Sequence, residues 1–173
     1  MMQQGARENF REAVGRYADQ WLADGLPSRQ VLDTVAAELL DRRRRTDGAG
    51  IHRRPATLLT ATLDDALGQG LAVIERYATA IGMQVIPLGL MQTPQAVVDA
   101  CQKHRPDYLG LTILQFDTED DLRFIAAHLP AETRIVAGGP VFTGDPAFAA
   151  RTGTHIAARN VAHFLRIMLA ENR

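Results

Sequence analysis

From residue 56 onward, short apolar runs alternate with amphipathic segments, and this alternation constrains the fold more than any other feature of the chain. The runs are "ATLLTATL" (56–63), "MQVIPL" (83–88), "DYLGLTIL" (107–114), "RIVAG" (134–138) and "THIAA" (154–158). Between them lie "LGQGLAVIERYATAIG", "TPQAVVDACQKH", "TEDDLRFIAAHL" and "DPAFAARTG", and "NVAHFLRIMLAEN" closes the series. Strand-length runs separated by helical segments predict βαβ units and a parallel sheet. Right-handed crossovers then place helices on both faces. The expected fold class is α/β, with five parallel strands in the flavodoxin-like order 2-1-3-4-5.

Upstream the period changes. Phe10, Val14, Tyr17 and Trp21 recur at steps of three and four, on one stripe of a helix that Gly25 stops. A second helix follows, with Ser28 as its N-cap and Val31, Leu32, Val35, Leu39 and Leu40 as its apolar face. Residues 1–45 therefore read as a helical hairpin, 46–55 as a basic linker and 56–173 as the α/β domain. The hairpin cannot bury both stripes by itself. It is expected to pack on the main domain or on a second subunit, as a homodimer through the N-terminal helices. Six arginines lie between Arg42 and Pro55. They suit a solvated helix end, and the alternative is a site for phosphate or an acidic partner.

A net charge of −1 over 173 residues gives no support to a dominant nucleic-acid role. Cys101 is the only cysteine, so no intrachain disulfide forms, and a half-buried helical thiol is expected there. No apolar run approaches the ~18 residues that span a membrane. The N-terminus lacks the apolar core of a signal peptide, so the expected location is the cytoplasm.

In this fold, ligands bind beyond the carboxyl ends of the strands at the topological switch point. Three loops converge there: Asp64 to Gly70 after the first strand, "LTILQFDTED" after the third, and "GGPVFTGDP" (138–146) after the fourth. Several chemistries fail at this rim. Val73 stands where a dinucleotide fingerprint needs its third glycine, and no P-loop motif occurs. A phosphoacceptor receiver would use the Asp64–Asp65 pair, but the third strand ends without aspartate and Lys103 is the only lysine. His52, His104, His128, His155 and His163 are scattered, with no ligand spacing for a metal, and no G-x-S-x-G elbow is present.

The three loops together resemble the cobalamin-binding domain of corrinoid methyltransferase carriers and cobalamin-dependent mutases. That family carries D-x-H-x-x-G after strand one, S-x-L after strand three and a G-G pair after strand four. Asp65, Leu67 and Gly70 fall on the first motif, Thr112 and Leu114 on the second, and Gly138 and Gly139 on the third. The resemblance covers residues 56–173. It implies that cobalamin's nucleotide tail threads between strands one and three, with glycines admitting it closely and the Thr112 hydroxyl bonding it. It also implies a histidine below the cobalt, oriented by the aspartate, but that position is Leu67. Asp65 is then left to cap the following helix.

On this reading the chain is a cobalamin-binding carrier or sensor without histidine ligation, which presents the corrinoid to a partner protein and catalyses nothing alone. The alternatives are a haem- or other ligand-sensing module, the corrinoid component of a methyltransferase system, or an interaction module with no cofactor. Relatives often carry a four-helix cap, whereas this chain has two helices, and the Tyr17–Trp21 stripe is placed either for packing or for contact with a corrin.

Overall fold

A computed structural model describes residues 2–45 and 48–171; positions 46 and 47 of the expected linker lie outside them. Two helices come first, α1 (Met2–Asp24) and α2 (Arg29–Arg45). The alternating part follows as β1 (Thr57–Thr62), α3 (Gln69–Ala80), β2 (Gln84–Gly89), α4 (Pro94–His104), β3 (Tyr108–Thr112), a 3₁₀ turn (Phe116–Thr118) and α5 (Glu119–His128). The chain continues through β4 (Arg134–Gly138), α6 (Val141–Gly144), α7 (Phe148–Thr152), β5 (Ile156–Ala157) and α8 (Val161–Ala170). The sheet order is β2-β1-β3-β4-β5, the flavodoxin-like order that the alternation predicts. The chain divides into two compact units.

One unit comprises residues 57–72 and 85–159. Its core follows the two-residue period of the strands. Leu59 and Ala61 of β1, Leu109 and Leu111 of β3 and Ile135 and Ala137 of β4 share one face. They pack against Val97, Val98 and Cys101 of α4, Leu122 and Ile125 of α5, and Phe148 of α7. Cys101 is fully buried rather than half-buried, and burial pushes its thiol pKa up to about 12, which makes it a packing residue. The opposite faces of the strands carry Thr60 and Thr62, Gly110 and Thr112, and Val136 and Gly138. In register these form two rows, Thr60–Gly110–Val136 and, nearer the carboxyl ends, Thr62–Thr112–Gly138.

β5 is shorter than its apolar run suggests, because only Ile156 and Ala157 pair with β4. Short edge strands resist further pairing. Before it, the His155 ring replaces a ladder bond: the Ile135 N–H donates to His155 Nδ1 at 3.0 Å. An accepting Nδ1 requires a neutral ring. Burial, and then the Arg134 charge, lower the His155 pKa below its ordinary value. The unfolded chain therefore takes up this proton first. The stability involved is complete above about pH 6.5 and is lost as pH falls through the depressed folded value. The urea midpoint is expected to decline on acidification from neutrality with a smaller slope in His155→Ala; equal slopes would mean the ring does not contribute.

The second unit comprises residues up to Ala56, Val73–Gln84 and the chain from Asn160 onward. Phe10, Val14 and Trp21 are buried as the stripe predicts. Trp21 meets the Tyr77 ring edge-on at 5.8 Å, and the buried Tyr77 hydroxyl donates to the Leu32 carbonyl at 2.7 Å. The aromatic stripe is thus used in packing. Ser28 caps α2 through the Val31 N–H, at 3.4 Å. Val31, expected on the apolar face, is exposed instead, and Leu32, Val35, Ala36 and Leu39 are the buried set. At about 100° per residue, positions 32, 35, 36 and 39 fall on one arc of the helix and Val31 lies at its margin. Ile51 and His52, inside the stretch read as a linker, are buried, and the Ile51 N–H donates to the Ile81 carbonyl at 3.0 Å.

Candidate functional site

β1 ends in a fully buried threonine that organises two loops. Thr62 Oγ1 donates to the Asp65 carbonyl at 2.6 Å and accepts from the Met91 N–H at 2.9 Å. The Gln92 N–H reaches the Thr62 carbonyl at 2.7 Å. The loop after β2 is thereby tied to the end of β1. Met91 takes a left-handed conformation there, with φ +51°. Such a conformation is strained for a side-chain-bearing residue and persists only where its surroundings hold it.

The two aspartates divide the remaining work. Asp65 is buried, and its Oδ1 accepts the Leu67 N–H at 2.8 Å, closing a tight turn. It does not cap α3, which begins only at Gln69, so the capping expectation is corrected. Asp64 reaches across to the loop after β3, where Oδ2 accepts from the Leu114 N–H at 2.9 Å and the Gln115 N–H at 2.7 Å. A carboxylate accepting two main-chain donors is a strong, charge-assisted link. The sequence names Asp64 only as the start of the first rim loop and half of an acidic pair, and it marks neither Thr62 nor the loop after β2 as part of the site. The only signal was the position of a Thr-x-Asp sequence at a strand end.

Gly138 lies beside Thr112 in register, and Thr112 lies beside Thr62. Thr112 is half-buried. Gly139 has φ +131°, and a Cβ there would overlap the Ile113 carbonyl group, at 2.8 Å from its carbon. This glycine is demanded by the packing of β3 against the loop after β4, whatever binds above it. Gly70 is different: in the first turn of α3, a Cβ would meet open space. Asp65, Leu67, Gly70, Thr112, Leu114, Gly138 and Gly139 thus lie on the three loops that follow β1, β3 and β4, or at the strand ends that bear them.

The surface these loops present is apolar. Leu67 is 78% exposed, Leu90 40%, Met91 61%, Leu114 41% and Phe116 53%. They make up five of the nine large hydrophobic side chains exposed among the described residues, and all five stand on loops at the carboxyl ends of β1, β2 and β3. Phe116 rests edge-on against the buried Phe148 ring at 5.5 Å. Behind it, Arg151 joins Asp145 at 2.8 Å and Glu119 at 3.1 Å, and holds both carboxyl groups below their ordinary pKa range. Exposed apolar side chains gathered on one rim mark an interaction site. Among the described residues, no group of three or more His, Cys, Asp or Glu side chains is placed to hold a metal ion.

The B12 binding domain family matches residues 56–163. The chain belongs to that family. No curated protein matches it in sequence. Among solved structures, a cobalamin-binding protein from Desulfitobacterium hafniense DCB-2 superposes with a TM-score of 0.80 at 20% identity, over 96% of this chain and 81% of that one. The methanol:cobalamin methyltransferase complex MtaBC from Methanosarcina barkeri gives a TM-score of 0.63 at 16% identity, over 94% and 64%. The monomethylamine corrinoid protein of the same organism gives 0.59 at 15% identity, over 96% and 98%. At these identities the likeness is one of fold.

The rim of this B12-binding domain fits such a group on two counts. Its apolar side chains suit a broad, flat macrocycle, whose burial of apolar surface drives association. The open space at Gly70, beside the leading amides of α3, suits a phosphate-bearing chain. Inward of Thr112 the row narrows, since a Cβ at Gly110 would stand 3.2 Å from Leu58 and 3.4 Å from Thr60 side-chain carbons. No helix among the described residues is long and apolar enough to cross a membrane.

Proposed function

We propose that this chain binds cobalamin on the rim formed by the loops after β1, β2, β3 and β4, and acts as a carrier or sensor that presents the corrinoid to a partner protein. The observation that carries this reading is the set of exposed apolar side chains, Leu67, Leu90, Met91, Leu114 and Phe116, on loops whose main chain is already pinned. Gly70 and the α3 amides would receive the nucleotide phosphate, and the Thr112 hydroxyl the nucleotide tail. Cobalamin, when bound, supplies a cobalt–carbon bond that can be made and broken. The chain's own residues bind and orient the group and shield one face of it.

The finer part of the reading concerns Leu67. It stands where the family motif places the ligand histidine, so the protein contributes no imidazole below the cobalt. Asp65 retains an orienting role, through the main chain of residue 67 rather than through a ring. The methyltransferase complex among the structural relatives supports a partner protein, and the haem alternative draws no support from those relatives.

Incubation with hydroxocobalamin followed by desalting tests the reading. About one equivalent of corrinoid absorbance is expected to stay with the protein. A colourless eluate would remove cobalamin binding, and with it the carrier and sensor roles.

A further inference from the structure

Four main-chain donors at the rim are already bonded within the protein. The Leu67 N–H goes to Asp65, the Met91 N–H to Thr62, and the Leu114 and Gln115 N–H groups to Asp64. Each of these bonds satisfies a main-chain donor within the protein. The side chains of Leu67, Leu90, Met91 and Leu114 on these loops are all exposed. None of the five histidines lies on these loops. The Gln92 amide, the polar side chain beside Met91, is turned back to donate to the Leu90 carbonyl at 3.0 Å.

We propose that Leu67, Leu90, Met91 and Leu114 form an apolar floor that keeps nitrogen ligands, the cofactor's own base among them, and water off the lower face of the cobalt. This rests on the cobalamin reading above. A water molecule held at a buried site needs two to four polar partners. These four side chains offer it no N–H or O–H partner, the four N–H groups above are already committed, and the unpartnered Asp64 Oδ1 is itself buried. The floor is also prepared in advance, because Thr62, Asp64 and Asp65 fix the main chain that carries it. The chemical consequence is a cobalt(II) centre that lacks a lower axial ligand.

Electron paramagnetic resonance of the full chain, loaded anaerobically with cob(II)alamin and in parallel with cob(II)inamide, tests this. Cobinamide lacks the benzimidazole, so the pair separates the cofactor's base from water. The expected result is the same spectrum from both samples, with no nitrogen splitting and with the widened cobalt hyperfine pattern of a four-coordinate centre. Nitrogen splitting with cobalamin alone would overturn the proposal, as would a five-coordinate pattern without nitrogen splitting in either sample. Leu67→His is expected to introduce nitrogen splitting with both probes. Leu67 is exposed, so this change does not touch the core, and an unchanged spectrum would show that residue 67 does not underlie the cobalt. Met91→Leu is expected to change nothing, and a changed spectrum would identify the thioether as a ligand. Failure to retain either corrinoid would instead overturn the cobalamin reading itself, which separates the two failures.

Discussion

Gly139→Ala is expected to cost about 4 kcal/mol or more, and to lower the Tm by roughly 8–16 °C for a chain of this size. The reason is backbone overlap. An added Cβ at φ +131° would overlap the Ile113 carbonyl group and also stand 3.2 Å from the Ile113 nitrogen. Neither neighbour can swing aside as a side chain could, because the Ile113 N–H is bonded to the Gly138 carbonyl at 2.9 Å. Relief would require β3 and the loop after β4 to separate. The control is Gly70→Ala, where the Cβ meets open space in a helical first turn. Alanine there is expected to leave the Tm unchanged or slightly raised, since it exceeds glycine in helix propensity by about 1 kcal/mol. If cobalamin approaches Gly70 closely, the same change lowers corrinoid retention. Thermal melts and desalting assays on the two variants thus separate a glycine needed by the fold from one needed by the ligand. A Gly139→Ala protein that melts like the parent would refute the overlap argument.

The strands were legible because parallel strands, buried on both faces, leave near-continuous apolar runs such as "LLTAT" and "RIVAG". The order of the sheet followed from the alternation, and the order located the rim. The detail within the rim was not legible. Asp64 and Asp65 are adjacent and chemically identical, yet one bonds residues 50 and 51 positions away and the other a residue two positions away. That difference is set by the β1–β3 register, which places Thr62 beside Thr112 and is a property of the folded sheet. Thr62 was hidden for the same reason. Its hydroxyl serves two loops, one of them 29 residues downstream.

The helices show the same boundary between local and distant information. The period that marks Phe10, Val14 and Trp21 is local, and these residues are buried. The partner of Trp21 is Tyr77, brought to it by tertiary packing, and no spacing in α1 could have named it. Leu67 was legible as an absent imidazole but not as part of a surface. Its neighbours Leu90 and Met91 sit on the loop after β2, which carries none of the motif positions that draw attention to the other three loops.

The floor proposed for the cobalt depends on Asp64, and the second large effect is expected there. Asp64→Ala leaves the Leu114 and Gln115 N–H groups without their acceptor. Two charge-assisted bonds are lost, but water can reach part of this rim, so the expected cost is about 2 kcal/mol, or roughly 4–8 °C in Tm. Corrinoid retention is expected to fall at least about tenfold, the equivalent of 1.4 kcal/mol, because the loop after β3 must then be ordered by the ligand itself. Asp64→Asn is expected to fall between Asp64→Ala and the parent. Its amide oxygen can still accept from both donors, but without the charge that strengthens them. Titration with hydroxocobalamin, read at the corrinoid bands alongside the melts, decides the matter. If Asp64→Ala binds as tightly as the parent while melting lower, the carboxylate supports the fold and not the site. If retention falls in both variants in the expected order, the link between the loops after β1 and β3 is what prepares the rim for its ligand.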